Sequence, residues 1–589
     1  MWCAHQSIFQ RADKGGAFLA CRWHELFDRF SPDTFQPKLL SLAALVSEAT
    51  QIAALHRSLE AWGKHLDLVR AEIAERLERD IERTMCTPRQ LNVLRSICGS
   101  EFAAETEGLG RLLELEGFQA HLESQVCSRL KNLDPPAAVC RKRETDMLLT
   151  TLATHAFQKG CWIDGYSNVE ERICEPASAV VGSILDSIPA AEREYDCILA
   201  IEVSDPQSCG AVRAVVARAG ATVTSPHIPG LPDGAGLVFL RRNAKGFKSA
   251  DAVQRFQAEI QADLNLLGFY NQRPAPLIRR DGWIYTAGGR AETVETRASS
   301  FRNLHPRRNA QELAAKTAAA LQSRKDETAV LAALELQNLA LSTDDDRLRL
   351  VNLWSALECL GSLVEGNSIM SRVEKLVVPV VSWRKTDKVL RYLAISLHFW
   401  LKANPDIERA ALPFPVSHND SVAPERILTI LTEVKDSPKI LALLSLVSCH
   451  PLLLYRIHEA WKIFHNPKVL SGNLRVSANR LRWHLWRIYR ARNLLLHRGD
   501  EPAFLPQLTD HLQHYFQFTL SRLLHGLTFG SEWRASDSLR FWTVKSDHLK
   551  ACLHSAPNEL VVSDLLPEAK SPDYPVWPAS GDAYPQPHD

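Results

Sequence analysis

The strongest constraint on the fold is a change of apolar period in the middle of the chain. Up to about residue 190, and again from about 310, apolar side chains recur at helical spacing. Leu39, Leu40, Leu42, Leu45 and Val46 follow that spacing, and the stretch from Leu66 to Ile81 is rich in Glu, Arg, Ala and Leu, all good helix formers. Pro135 and Pro136 break this region, and a further helix is expected over 144–157. Near 195 the texture becomes that of short strands. Cys197 to Val203 (CILAIEV), Ala221 to Thr224, Leu237 to Arg241 and Trp283 to Thr286 read as strands, with helices over 210–219 and from Ser249 to about Gly268. The order β-α-β-β-α-β suggests a ferredoxin-like sandwich.

Beyond 310 the chain returns to helix. Thr343, followed by Asp344, Asp345 and Asp346, makes a helix start in which Thr343 caps and the acids face the positive helix end. Leu350, Leu353, Leu357 and Leu360 then form one stripe. Helices are expected over 386–402, 425–434, 440–464, 474–497 and 506–526, and a Pro-rich tail follows 555. The expected fold is therefore mainly α with an inserted α/β domain. Residues 1–190 form a helical scaffold or recognition region, 195–300 a small α/β domain, 310–530 a helical bundle and 531–589 a C-terminal extension. At 589 residues the chain is too long for one core, and its 46% hydrophobic and 23% charged content excludes a mostly disordered protein.

Several functions drop out. The loop from Gly230 to Gly236 (GLPDGAG) lacks the Lys-Ser/Thr of a phosphate loop, and no Walker motif occurs. The 13 cysteines are scattered without a C-x-x-C pair, so neither a zinc site nor disulfide stapling is expected, and no metal or cofactor is assigned. The N-terminus has no signal pattern and no apolar run spans a bilayer, so a cytoplasmic protein with no membrane segment is expected.

Lys and Arg number 69 against 68 Asp and Glu, so a nucleic-acid surface requires local segregation of charge. Ser471 to Asp500 has it. The segment carries Arg475, Arg480, Arg482, Arg487, Arg490, Arg492 and Arg498, with Asp500 its only acid, and interleaves Trp483, Trp486 and Tyr489. Guanidiniums hold phosphates bidentately and aromatic faces stack bases, which makes Arg487, Arg490, Arg498 and Tyr489 the expected RNA contacts. The plainer reading is a helix with a solvated basic face and buried aromatics. Leu481, Leu485 and Ile488 form an apolar stripe whose continuation meets Arg492 before Leu495 and Leu496. An arginine in such a stripe needs a partner or an interface. Asn493 and His497 lie four apart on neighbouring turns, and Gly499 can end the helix. A neutral imidazole can take the proton of a ribose 2′-hydroxyl while a guanidinium holds the scissile phosphate. Cleavage needs an acid as well as a base, and two copies about a two-fold axis would supply two histidines.

The run Arg492-Asn493-Leu494-Leu495-Leu496-His497 resembles the R-x4–6-H motif of HEPN ribonucleases. Trp354-Ser355-Ala356-Leu357-Glu358 resembles the early helix of that domain, and Tyr489 to Asn493 with His497 to Asp500 is similar to the Apea-like branch in particular. The resemblance covers about 326–530. It implies a C-terminal HEPN-type helical bundle, catalysis by Arg492 and His497 with Asn493, and Glu358 orienting one of them. It also implies a homodimer with a composite site and a role in prokaryotic anti-phage defence. There, host or phage RNA, tRNA among the candidates, is cut in response to a phage-derived trigger. Arg391 and His398 fit the looser R-x6-H spacing without the adjacent Asn or following Gly, and Arg490 with His497 is a second looser match. Position 499 is Gly where the adenylylated members carry Tyr, so control by modification there is not expected, and the stretch between Glu358 and Arg475 is long for a minimal bundle. The alternative is a non-catalytic HEPN-like protein that binds nucleotide or RNA, or serves as a scaffold.

Overall fold

A computed structural model describes residues between 6 and 566, with breaks of which the longest cover 28–39, 133–141, 159–172 and 295–313. The Pro-rich tail beyond 566 and, apart from Val212, the helix expected over 210–219 lie outside the described residues. The chain divides into two compact units: residues 1–154, 169–181 and 304–589 form one, and residues 155–168 and 182–303 the other. The N-terminal and C-terminal helices, expected as separate regions, thus share a unit.

In chain order the first helices are α1 (Gln6–Arg11), α2 (Lys14–Phe27), α3 (Leu42–His56), α4 (Gly63–Arg79), α5 (Pro88–Cys98), α6 (Ala103–Leu112), α7 (Leu115–Lys131), α8 (Lys142–Gln158) and α9 (Ala177–Asp186). α5 shows how local sequence sets a boundary: Thr87 and Gln90 form a capping box, and Pro88 takes the first helical position.

The smaller unit holds β1 (Arg193–Glu202), β2 (Thr222–Val223), β3 (Leu237–Gly246), helix α10 (Ser249–Asn271), β4 (Leu277–Tyr285) and β5 (Ala291–Val294). All its strand pairs are antiparallel, in the order β2-β3-β1-β4-β5. The first four follow the ferredoxin-like order, and β5 extends the sheet. Cys197, Leu199 and Ile201 of β1 pack against Val253, Phe256 and Ile260 of α10, while Ile198 and Ala200 meet Phe239 and Trp283 on the other face. Burial on both faces explains why β1 reads as an unbroken apolar run.

The larger unit resumes with α11 (Thr328–Ser342), α12 (Asp346–Gly361), α13 (Ile369–Ala403), α14 (Pro424–Leu431), α15 (Pro438–Leu446), α16 (Pro451–Phe464), α17 (Pro467–Arg498), α18 (Leu505–Leu527), α19 (Ala535–Ser555) and α20 (Val562–Leu565). The cap of α12 is Asp345, whose carboxylate accepts from Arg347 N–H, rather than Thr343. The Leu350, Leu353, Leu357 and Leu360 stripe packs with Leu481, Leu485 and Ile488 of α17 and with Leu508, Leu512 and Phe516 of α18 in one core. Helix α19, unforeseen in the sequence, joins it where Gly526 lets Ser538 approach: a Cβ at 526 would stand 1.9 Å from Ser538 Oγ. The long stretch after Glu358 does not stand apart. Through α16 it meets the N-terminal helices, where Arg456 pairs with Glu25 at 2.5 Å and Tyr455 Oη donates to Asp146 at 2.9 Å.

The arginines of α17 are tied to the N-terminal helices in the same way. Arg487 Nε donates to Glu48 of α3 at 3.0 Å and its Nη2 to Glu72 of α4 at 2.6 Å. Arg490 pairs with Glu48, and Arg480 lies 3.5 Å from Glu75. Glu72 faces Arg487 and Glu75 faces Arg480, so α4 runs antiparallel to α17. Burial alone would raise the Glu48 carboxyl, but the Arg487 and Arg490 guanidiniums overcome it and hold it below its ordinary value. A depressed carboxyl stabilises the fold fully above its ordinary value of 4.5 and ceases to as pH falls through the lower folded value. Glu48→Ala is expected to cost about 3 kcal/mol in urea unfolding at pH 7, because it leaves buried guanidiniums short of a partner. Glu48→Gln should flatten the acid limb of stability; an acid limb unchanged by Glu48→Gln would refute the assignment.

Candidate functional site

Helix α17 is framed by its own ends. Asn466 accepts from the N–H groups of Lys468 and Val469, Pro467 takes the first helical position, and Gly499, at φ 69°, adopts a left-handed conformation and donates to Leu495 O. That termination fixes where the last turn, with His497 and Arg498, meets solvent; both are exposed.

Two single helical turns build the site. On α17, Tyr489, Arg492 and Asn493 share a face; on α12, Trp354 and Glu358 do. Arg492 is half-buried. Its Nη1 donates to Asn493 Oδ1 at 3.0 Å, its Nη2 stands 3.9 Å from Glu358 Oε2, and its Nε is buried with no acceptor among the described residues. Glu358 is held from the other side by Trp354 Nε1, which donates to Oε1 at 2.7 Å. Trp354 is fully buried, and its ring lies 5.4 Å from that of Tyr489. The guanidinium is aimed by its neighbours yet not saturated by them, since 3.9 Å is the outer edge of an ion pair, so an arriving phosphate oxygen could still recruit it.

Of the residues singled out in the sequence, the structure thus brings Arg492, Asn493 and Glu358 together. No hydrogen bond or ion pair joins His497 to them among the described residues. A step of five residues turns about 140° and rises about 7.5 Å along a helix. His497 makes no hydrogen bond to a described residue and lies exposed one turn beyond Asn493.

The expected RNA contacts need correction. Arg487 and Arg490 are buried and occupied by Glu48 and Glu72, so they hold the fold rather than a phosphate. That also removes Arg490 as the partner of His497 in the looser spacing. Tyr489 already packs against Trp354 and against His65, whose ring stacks on it at 6.1 Å, so it is a wall of the site and not an open base platform. Arg498 remains at the exposed end. Arg391 pairs with Asp387 at 2.7 Å, and His398 lies against Phe399, a structural arrangement on α13. His484, the other histidine of the segment, is buried 3.1 Å from His511; burial first, then His511 and the nearby arginines, keep its imidazole neutral.

Sequence reasoning missed the contribution of α4. Lys64 lies over the Trp486 ring at 4.8 Å, His65 meets Trp486 edge-on at 5.0 Å, and Trp486 Nε1 donates to Glu374 at 2.5 Å. Nothing in the Trp62-Gly-Lys-His65 run signals a partner so distant in sequence. Among the described residues no group of three or more His, Cys, Asp or Glu is placed to hold a metal ion, and no helix is long and apolar enough to cross a membrane.

Two outcomes follow from these contacts. Burial, then the charges of Arg490 and Lys64, push His65 down to about 4 from 6.5. The unfolded chain therefore takes up a proton that the folded one refuses, and stability should fall as pH drops from 6.5 towards 4. His65→Phe should remove that part of the pH dependence of thermal unfolding. Trp354→Phe, which deletes a hydrogen bond to a carboxylate, should cost about 1.5–3 kcal/mol in urea unfolding; no loss would mean that Glu358 is not held as described. Comparison of the chain with protein-family models, curated proteins and solved structures found no match, so the reading of the site rests on its residues and geometry.

Proposed function

We propose that the chain is a metal-independent RNA endonuclease whose α11, α12, α17 and α18 form a HEPN-type bundle. The observation that carries this reading is Arg492, aimed by Asn493 and Glu358 and left unsaturated, one and a half turns before an exposed His497 at the helix end. Arg492 would hold the scissile phosphate and offset the charge that grows on it. One imidazole takes the proton of the ribose 2′-hydroxyl, the 2′-oxygen bonds to phosphorus, and the bond from phosphorus to the 5′-oxygen breaks. A second imidazole, protonated, gives its proton to the departing 5′-oxygen. The products are a 2′,3′-cyclic phosphate and a 5′-hydroxyl. Since the reaction uses an acid and a base and one chain supplies one such imidazole, a second copy about a two-fold axis would supply the other. The family resemblance adds the setting: RNA of host or phage, tRNA among the candidates, cut in the cytoplasm during abortive infection.

A second reading keeps the same residues without the chemistry. A chain that never dimerises through its α17 end could bind RNA by Arg492 and Arg498 without cutting it. Wild type, His497→Ala and Arg492→Ala are incubated with total tRNA in EDTA and the fragment ends mapped. Cleavage by wild type with cyclic-phosphate ends is expected, reduced at least about 100-fold in either variant. Equal cleavage by all three would contradict the proposal. RNA affinity retained in His497→Ala, with no cleavage by any form, would favour the binding protein.

A further inference from the structure

A residue from the N-terminal helices packs against the aromatic residues that back the site in the C-terminal bundle. Helix α4 is docked along α17 by Glu72 on Arg487 at 2.6 Å and Glu75 on Arg480 at 3.5 Å, which fixes its register. Its first turn therefore lands beside the aromatic residues that back the site. His65 lies 5.0 Å from Trp62 and 5.0 Å from Trp486, and stacks on Tyr489 with an angle of 15° between the rings. Tyr489 lies against Trp354, Trp354 fixes Glu358, and Glu358 faces Arg492. Each step in this series is a direct contact.

We propose that His65 is a positioning residue for Arg492, acting through Tyr489, Trp354 and Glu358. This rests on the reading of Arg492 as the phosphate-holding group. The ring of His65, and not its charge, does the positioning. It is 7% exposed, its Nδ1 has no partner among the described residues, and its surroundings disfavour the protonated form. A buried nitrogen without a partner is a cost, so an apolar ring of similar shape should serve as well. Removing the ring opens a cavity beside Tyr489, lets Trp354 relax and loosens the carboxylate that aims Arg492. The N-terminal helices thereby become part of the catalytic apparatus. Whatever shifts α4 along α17 would shift Arg492 too.

The test compares His65→Ala with His65→Phe in the full-length protein. Two readouts are taken: steady-state tRNA cleavage, and the fluorine NMR signal of Trp354 in 5-fluorotryptophan-labelled protein, assigned by its loss in Trp354→Phe. His65→Ala is expected to lower kcat about tenfold with KM within about twofold, and to move the Trp354 signal. His65→Phe should leave both near wild type. A moved signal in a protein whose wild type cleaves no RNA would support the coupling while refuting the nuclease reading. The proposal is overturned by an unmoved signal in folded His65→Ala, by unchanged kcat in an active enzyme, or by His65→Phe being as damaging as His65→Ala. Should His65→Ala fail to fold, the His65→Phe result decides: a displaced Trp354 signal overturns the proposal and a wild-type signal supports it.

Discussion

Two guanidiniums inside a helical core set the terms for the rest of this structure. Arg487 and Arg490 are almost wholly removed from water, and a charge so placed must be paired. At about 3 Å and an effective interior dielectric of about 20, one ion pair attracts by about 5 kcal/mol, the same order as the cost of drying each ion. Pairing does not so much add stability as make separation costly. Since the carboxylates come from α3 and α4, the N-terminal helices cannot leave α17 without stranding both charges. That requirement helps to join the two ends of the chain and, with Glu75 on Arg480, fixes the register of α4 and brings His65 to Tyr489.

The same helix then changes character over its last turns. From Arg480 to Arg490 its arginines face acids, and its apolar stripe faces α12 and α18. From Arg492 onward the surroundings change: a carboxylate at 3.9 Å and a neighbouring amide at Arg492, then exposed residues over 496–499. An arginine held by close buried carboxylates is structural, and one whose nearest carboxylate stands 3.9 Å away can bind. This difference, and not the density of arginines, separates the two halves of the segment. It also explains why a segment that looks uniformly basic in sequence is not a uniform surface.

Much of the scaffold was legible in the sequence, and for physical reasons. Helices α17 and α18 follow from local signals, an apolar stripe and a glycine exit, and β1 from an apolar run buried on both faces. Arg492 was found because it interrupts the apolar stripe of its helix, Asn493 from its one-turn spacing to His497, and Glu358 from the family resemblance. What failed was everything that depends on distant partners. Glu48 and Glu72 lie more than four hundred residues before Arg487, and no local pattern marks them as its counter-ions. Helix α13 runs through Pro379, and the helix expected over 440–464 is split at Pro451, so proline was tolerated in one place and decisive in another. Helix α19 went unseen because its partner, Gly526, is recognisable only from the close approach of Ser538.

Under the proposed function, α17 meets RNA through its last turns and holds the protein together through the rest. Amide hydrogen exchange of the His497→Ala protein, with and without bound tRNA, tests it most directly. Added protection is expected over residues 489–499 and in the turn of α12 that carries Glu358, and none over 475–487. Protection spread along 475–487, or none over 489–499, would contradict it.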